Sequence, residues 1–212
     1  MCLLLETIRL EDGVLFNLHY HNRRFNAARR DRFGLSAPLA LENIIRVPEN
    51  ATKGLFRCRV LYSEEIQKIE FIPYVPRRIN SLKLVVDDHL EYACKFADRH
   101  RIDRLFAQRG SCDEIIIIKN GRVTDCSIGN LVFYDGENWF TPSSPLLNGT
   151  RRMQLLEKGL IREREITAED VFRFRKAGII NAFFGLENLP EIPVRNIQIP
   201  NSSSQHLASS SQ

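Results

Sequence analysis

Cysteine is scarce and unpaired in this sequence: Cys2, Cys58, Cys94, Cys112 and Cys126 form an odd, scattered set without a C-x-x-C pair. Neither a disulfide framework nor a zinc site is therefore expected, and the simplest setting is a reduced, cytosolic one with buried thiols. Long apolar runs are missing too. The most apolar stretches, Ile115 to Ile118 and Gly178 to Gly185, fall far short of the ~20 residues that cross a bilayer, which argues against a membrane protein. No basic segment leads into an apolar core and a small-residue cleavage site, so no targeting peptide is expected. There are no internal repeats. The net charge is only +4 and the arginines are spread along the whole chain. Without a basic stripe or a recognisable reading module, nucleic acid is a poor partner, and an anionic small molecule is a better one.

What is present is ordinary globular composition, 43% hydrophobic and 26% charged over 212 residues, enough for one large or two small domains. Leu4 to Leu10 and Val14 to Leu18 alternate as strands around Asp12-Gly13, a two-residue hairpin signal. Helical spacing follows from His21 to Phe33 with Gly34 as its stop, and a second amphipathic piece covers Leu39 to Ile45. Leu55 to Tyr62 and Ile66 to Tyr74 are strand candidates, and the proline-bracketed run from Pro73 to Arg78 is a connector.

Beyond it, Leu82 to Val86 is a strand, and Arg101 to Arg109 a helix ended by Gly110. Two further hairpins turn at Asn120-Gly121 and Asp135-Gly136. Thr150 to Gly159 is a helix with Leu155 and Leu156 inward, Thr167 to Asp170 opens a short helix with a capping box, and Ile179 to Phe184 is a buried strand. The Ser-rich segment 201–212 is expected to be disordered. Strands outnumber helices, which points to an α+β chain with domains at 1–76 and 81–200 joined by 77–80.

Four short segments carry the chemistry, and their order matters more than any one of them. His21-Asn22-Arg23-Arg24-Phe25 offers a guanidinium fork suited to a phosphate. Tyr92-Ala93-Cys94-Lys95-Phe96 gives Lys95 an apolar approach that none of the other six lysines has, and such surroundings favour a neutral amine. Val123-Thr124-Asp125-Cys126-Ser127-Ile128-Gly129-Asn130 sets an acid five residues before an asparagine. Finally, Thr141-Pro142 is followed by Leu147-Asn148-Gly149-Thr150-Arg151-Arg152, a glycine turn opening a helix whose first amides could hold an anion.

In this order and at these spacings the four segments resemble those of class IV aminotransferases and aminodeoxychorismate lyases, over roughly residues 3 to 195. The resemblance implies the two-domain α+β fold of type IV pyridoxal phosphate enzymes, like D-amino-acid aminotransferase: a small N-terminal domain and a larger, mostly antiparallel, barrel-like one. It implies pyridoxal 5′-phosphate as cofactor, Lys95 as the lysine that binds it as a Schiff base, and Asp125 as the partner of its pyridine nitrogen, where the family more often has Glu. Arg24, Ser127, Asn130, Gly149, Thr150 and Arg151 are implied as further cofactor contacts, with Arg152 at the family's arginine. A homodimer and a small amino substrate are implied as partners, and no metal.

The chain begins where family members have already completed an earlier strand or two, so a shortened N-terminal domain is expected. The family's substrate-arginine loop has no evident match; Arg57 or Arg59 is the candidate replacement, Arg59 being preferred, together with Asn181.

Two reactions fit the resemblance. In both, Lys95 is the general base. In the lyase, pyruvate is expelled from 4-amino-4-deoxychorismate to leave 4-aminobenzoate for folate synthesis; in the transaminase, a keto acid leaves from a branched-chain or D-amino acid. Thr7, in Leu5-Glu6-Thr7-Ile8-Arg9, matches a lyase threonine that assists the proton step, and Ile180-Asn181-Ala182-Phe183-Phe184 resembles a lyase segment. Both lean toward the lyase. A catalytically idle relative is the third possibility.

Overall fold

The computed structural model describes residues 3–199; the Ser-rich segment 201–212 lies outside them. The N-terminal part is one antiparallel sheet wrapped on a helix. Strand β1 (Leu4–Glu11) turns through Asp12 and Gly13, both at positive φ (47° and 81°), into β2 (Val14–Leu15), the geometry an Asp-Gly hairpin favours. Helix α1 (Leu18–Phe33) starts three residues earlier than the spacing predicts. It stops at Gly34, whose φ of 70° lets its N–H reach back to Arg30 O.

The second amphipathic piece shrinks to a single turn, α2 (Leu41–Ile44). Strands β3 (Leu55–Tyr62) and β4 (Ile66–Pro73) complete the order β2-β1-β3-β4. Strand alternation then divides the sheet. Leu4, Ile8, Leu10, Cys58, Val60 and Tyr62 join Phe25 of α1 in a buried cluster. Leu5, Thr7, Arg57 and Arg59 occupy the opposite parity, with Thr7 directly opposite Arg59.

The remaining chain forms two sheets face to face. One, in the order β13-β5-β6-β7, contains β5 (Leu82–Val86), β6 (Glu114–Lys119), β7 (Arg122–Val123) and β13 (Ile197–Gln198). The other contains β8 (Asn130–Tyr134), β9 (Trp139–Pro142), β10 (Arg162–Arg164), β11 (Lys176–Ile180) and β12 (Glu191–Pro193), in the order β10-β9-β8-β11-β12. Leu82, Ile116, Leu131, Phe133, Ile179 and Ile192 are buried between them, a core that gives this region its barrel-like character.

Strand β6 runs parallel to β5, and β5 parallel to β13. The unbroken isoleucines of β6 are what a strand covered on both faces requires: Ile116 and Ile118 face the inner core, and Ile115 and Ile117 face helix α3 (His100–Ala107) through Ile102 and Leu105. Helix α4 (Thr150–Glu157) covers the outer face of the larger sheet, with Leu155 against Val132 and Ile180.

Two sequence expectations change here. The strand placed at Ile179 to Phe184 runs instead over Lys176–Ile180, and 181–184 form a turn in which Asn181 Oδ1 accepts the N–H groups of Phe183 and Phe184. The turn is stabilised by that side chain, a local competitor with strand pairing that hydrophobicity alone does not reveal. Residues 167–170 do form the reciprocal cap, Thr167 Oγ1 with the N–H of Asp170 and Asp170 Oδ2 with the N–H of Thr167, but the turn that follows is a short 3-10 segment. Among the described residues no helix is long and apolar enough to cross a membrane.

Candidate active site

A cavity of about 520 Å³ opens between the free face of the N-terminal sheet and the loops of the second region. Thr7 and Arg59 line it from β1 and β3, Arg24 from α1, and Lys95 from an irregular segment. Asp125 and Ser127 enter from the loop between β7 and β8, Asn130 from the first position of β8, Gly149 and Thr150 from the start of α4, and Asn181 from the turn after β11. Residues separated by more than 170 positions are thus brought to one place. Of the residues anticipated from sequence, only Arg151 and Arg152 stay outside the lining. Arg151 turns its side chain to Gln154 Oε1 at 2.7 Å, and Arg152 is buried against Glu163, Pro142 and Asn148.

Lys95 is held by its backbone. Its carbonyl accepts the N–H of Leu5 at 2.9 Å, Phe96 bridges Leu4, and the N–H of Ala97 donates to Leu3. Its segment therefore runs along β1 on the stretch that the two-residue β2 leaves unpaired. Desolvation, helped by the positive field of Arg24, lowers the Lys95 ammonium from 10.5 to about 8. At pH 7 this leaves roughly a tenth of the amine neutral, far more than an ordinary lysine has, and the neutral form is the one that acts as nucleophile or base.

Asp125 is 5% exposed, and burial raises its carboxyl to about 6 despite two hydrogen bonds that oppose the rise. Asn130 Nδ2 donates to Oδ1 at 2.8 Å and the N–H of Leu147 to Oδ2 at 2.9 Å. The same asparagine also donates to the carbonyl of Leu147 at 2.8 Å, so one side chain ties the acid to the loop that precedes α4. Gly149 follows, and a Cβ there would sit 2.0 Å from Asn130 Oδ1. Glycine is required here for space, since its φ of −68° is open to any residue. The close approach leaves the first amides of α4 facing the cavity without helical acceptors, the arrangement that holds anions.

Arg24 lies at the cavity edge with its guanidinium forked on Glu6, Nε to Oε1 at 2.8 Å and Nη2 to Oε2 at 2.6 Å. Glu6 is fully buried. Burial would raise its carboxyl, but Arg24 and His21 outweigh that and hold it at about 2. His21 Nδ1 lies 2.6 Å from Glu6 Oε2, and burial lowers the imidazole below its usual range. Ser127 gives its hydroxyl to buried Glu114 at 2.9 Å, and Glu114 also receives Arg77 at 2.7 Å. Asn181 uses its amide on the main chain, accepting from Phe183 and Phe184 and donating to Ile128.

Sequence reasoning assigned no site role to Tyr74, Arg77, Tyr92, Arg99 or Phe183, all of which line the cavity. Tyr92 and Arg99 flank Lys95 within four residues and could have been found from it; Tyr74 and Arg77 sit in the connector, which carried no periodicity to read. Five arginines and Lys95 face the cavity against Asp125 as its only acid among the described lining residues, a field that favours an anionic ligand.

These features agree with comparisons to known proteins. The family model for class IV aminotransferases matches residues 3–192. An uncharacterized protein of Haemophilus influenzae is 44% identical over 185 residues, covering 86% of this chain and 98% of the relative. The crystal structure of a proposed 4-amino-4-deoxychorismate lyase from Haemophilus somnus is 38% identical, with a TM-score of 0.82 over 88% of this chain and 98% of that one. A hypothetical aminotransferase from Mycobacterium tuberculosis in its PLP-bound form shares the fold, with a TM-score of 0.70 at 17% identity, covering 95% of this chain and 84% of that one. The chain belongs to the class IV aminotransferase family.

Proposed function

We propose that the protein is a pyridoxal phosphate-dependent lyase that releases pyruvate from 4-amino-4-deoxychorismate and leaves 4-aminobenzoate. The observation that carries the reading is the single cavity shared by Lys95, Asp125, Arg24 and the Gly149 turn. These residues suit the cofactor. The Gly149 turn bares helix amides for a phosphate, with Arg24 nearby; buried Asp125 is an acid for a pyridine nitrogen; and Lys95 has an amine poised to react with an aldehyde. Ser127, Asn130, Thr150 and Arg151 complete the set we assign to cofactor binding, Arg151 through its backbone amide.

When bound, pyridoxal phosphate supplies a ring that accepts the electrons of a broken bond to carbon. Lys95 Nζ takes the proton from the carbon that bears the amine. In the lyase reaction the bond to the enolpyruvyl oxygen then breaks, and the departing three-carbon unit needs a proton, which is the one Lys95 has taken, with Thr7 Oγ1 as the hydroxyl we assign to relay it.

The lyase reading is favoured by Thr7 on the cavity face and by the likeness to the Haemophilus somnus protein. The second reading, an aminotransferase acting on a branched-chain or D-amino acid, draws on the family itself. A homodimer belongs to the same proposal by kinship, and two domains, 1–76 and 81–200, and a reducing cytosolic setting belong to it from the connector and the unpaired cysteines of the sequence. The test is direct. Purified protein supplied with pyridoxal phosphate should absorb near the blue edge of the visible and lose that band with borohydride, and Lys95→Ala protein should not be fixed to the cofactor. Pyruvate formed from 4-amino-4-deoxychorismate with no keto acid added supports the lyase, and turnover only when a keto acid is supplied supports the aminotransferase.

A further inference from the structure

We propose that Arg57, rather than Arg59, grips the ring carboxylate of the substrate, from a platform formed by Tyr74 and Phe183. This rests on the lyase reading above and names how its site recognises an aromatic acid.

Five arginines line the cavity, and four of them already hold an acid. Arg24 pairs with Glu6 at 2.6 Å, Arg59 with Glu70 at 2.9 Å, Arg77 with Glu114 at 2.7 Å and Arg99 with Asp103 at 3.5 Å. Arg57 makes no ion pair or hydrogen bond through its side chain among the described residues, and its Nε is buried with no partner. A buried guanidinium N–H without an acceptor is costly, and a ligand carboxylate that accepts it removes the cost.

Strand register explains why these two arginines differ although they share one face of the sheet. Arg59 lies opposite Glu70 on β4, whereas Arg57 lies opposite Ile72. On its other side Arg57 faces Arg9 of β1, whose own acid is Glu11. Neither neighbouring strand sets a carboxylate directly opposite Arg57, the diagonal acids Glu70 and Glu11 are held by Arg59 and Lys68 and by Arg9, and a second guanidinium beside Arg57 raises the demand for an anion.

The surroundings of Arg57 also fit a flat ring. Its guanidinium sits 5.2 Å from the centroid of Tyr74, and Tyr74 lies against Phe183 with centroids 4.1 Å apart at 39°. All three line the cavity. Stacking on Tyr74 orients the planar fork without consuming its N–H groups. A ligand with an unsaturated ring and a carboxylate directly on it can lie along this wall and present both oxygens to Arg57. The product 4-aminobenzoate has this form; pyruvate, the other product, has the carboxylate without the ring.

The experiment titrates the pyridoxal phosphate-loaded protein with 4-aminobenzoate and with 4-aminobenzamide, its uncharged analogue, following the cofactor absorption. The unaltered protein is expected to prefer the acid by roughly tenfold to a hundredfold. Arg57→Ala should bring the two affinities to within about threefold by weakening the acid alone, Arg57→Lys should keep part of the preference, and Arg59→Ala should keep the preference. Equal binding of acid and amide by the unaltered protein, a preference that survives Arg57→Ala, or one lost in Arg59→Ala would each overturn the assignment. If the alanine variant takes up no cofactor, Arg57→Lys decides: an undiminished preference there also overturns it. Failure of the unaltered protein to take up pyridoxal phosphate would overturn the functional reading instead, so the two failures are distinct.

Discussion

Asn130 donates to Asp125 Oδ1 at 2.8 Å while its own Oδ1 lies 2.0 Å from the point that a Cβ on Gly149 would occupy. A methyl at 149 therefore has to displace a side chain already anchored to Asp125 and to Leu147. Gly149→Ala is expected to weaken pyridoxal phosphate binding roughly tenfold or more, because losing one hydrogen bond to a charged group is worth about that factor. Equilibrium dialysis or the visible absorption of the protein at graded cofactor concentrations measures it. An affinity equal to the unaltered protein's would mean that the asparagine moves without consequence.

Lys95 gives a prediction with a defined pH window. Its folded-state value of about 8 lies below the ordinary 10.5, so the folded protein disfavours the charged form. Between about pH 8 and 10.5 the unfolded chain binds the extra proton, and this residue makes stability rise with pH across that interval. Lys95→Met, which removes the buried charge, is expected to raise the urea midpoint at pH 7 in cofactor-free protein. The advantage should shrink as the pH climbs toward 10.5. Labelling of Lys95 by an amine-reactive reagent, followed by peptide mass spectrometry, should reach half its plateau rate near pH 8, where an ordinary lysine would still be climbing.

Glu6 behaves in the opposite sense. Its carboxyl is held near 2 although burial pushes it up, because Arg24 and His21 stabilise the anion. A depressed folded value contributes stability that is present above the unfolded value and lost as the pH falls through the window from about 4.5 to 2. Glu6→Gln leaves Arg24 without its buried partner and is expected to cost about 3–5 kcal/mol at pH 7, as broken buried pairs do. Denaturation at pH 7 and pH 3.5 should show a smaller difference between the two pH values for the variant than for the unaltered protein.

Much of this was legible locally. Asp12-Gly13 and Asn120-Gly121 make the hairpins their sequences announce, with all four residues at positive φ, and Gly34 ends α1 by the same freedom. Hydrogen-bonding that begins and ends within a few residues leaves a mark in sequence. The site candidates came from a different source: the ordered segments around Arg24, Lys95, Asp125 and Gly149 resemble a known pattern, and seven residues taken from them (Arg24, Lys95, Asp125, Ser127, Asn130, Gly149 and Thr150) line one cavity.

What could not be read depends on register and on distant partners. Arg57 and Arg59 look equivalent in sequence, and only the pairing of β3 with β4 shows that Glu70 occupies one of them. The turn at 181–184 looked like strand because Phe183 and Phe184 are apolar, yet Asn181 caps their amides. The parallel pairing of β13 with β5 joins residues more than a hundred positions apart, and no local signal encodes it.

The way Lys95 is seated has a consequence for assembly. The upper part of β1 would otherwise present bare N–H and C=O groups, the sort of edge on which chains aggregate. It is covered by residues 95–97, which follow the connector and arrive later in the chain. The N-terminal sheet thus cannot finish its own border; the stretch that bears the reactive amine finishes it. The contacts that close that seam are the same ones that seat Lys95 at the cavity, so a chain whose two regions have not met has neither a protected edge nor that lysine in place.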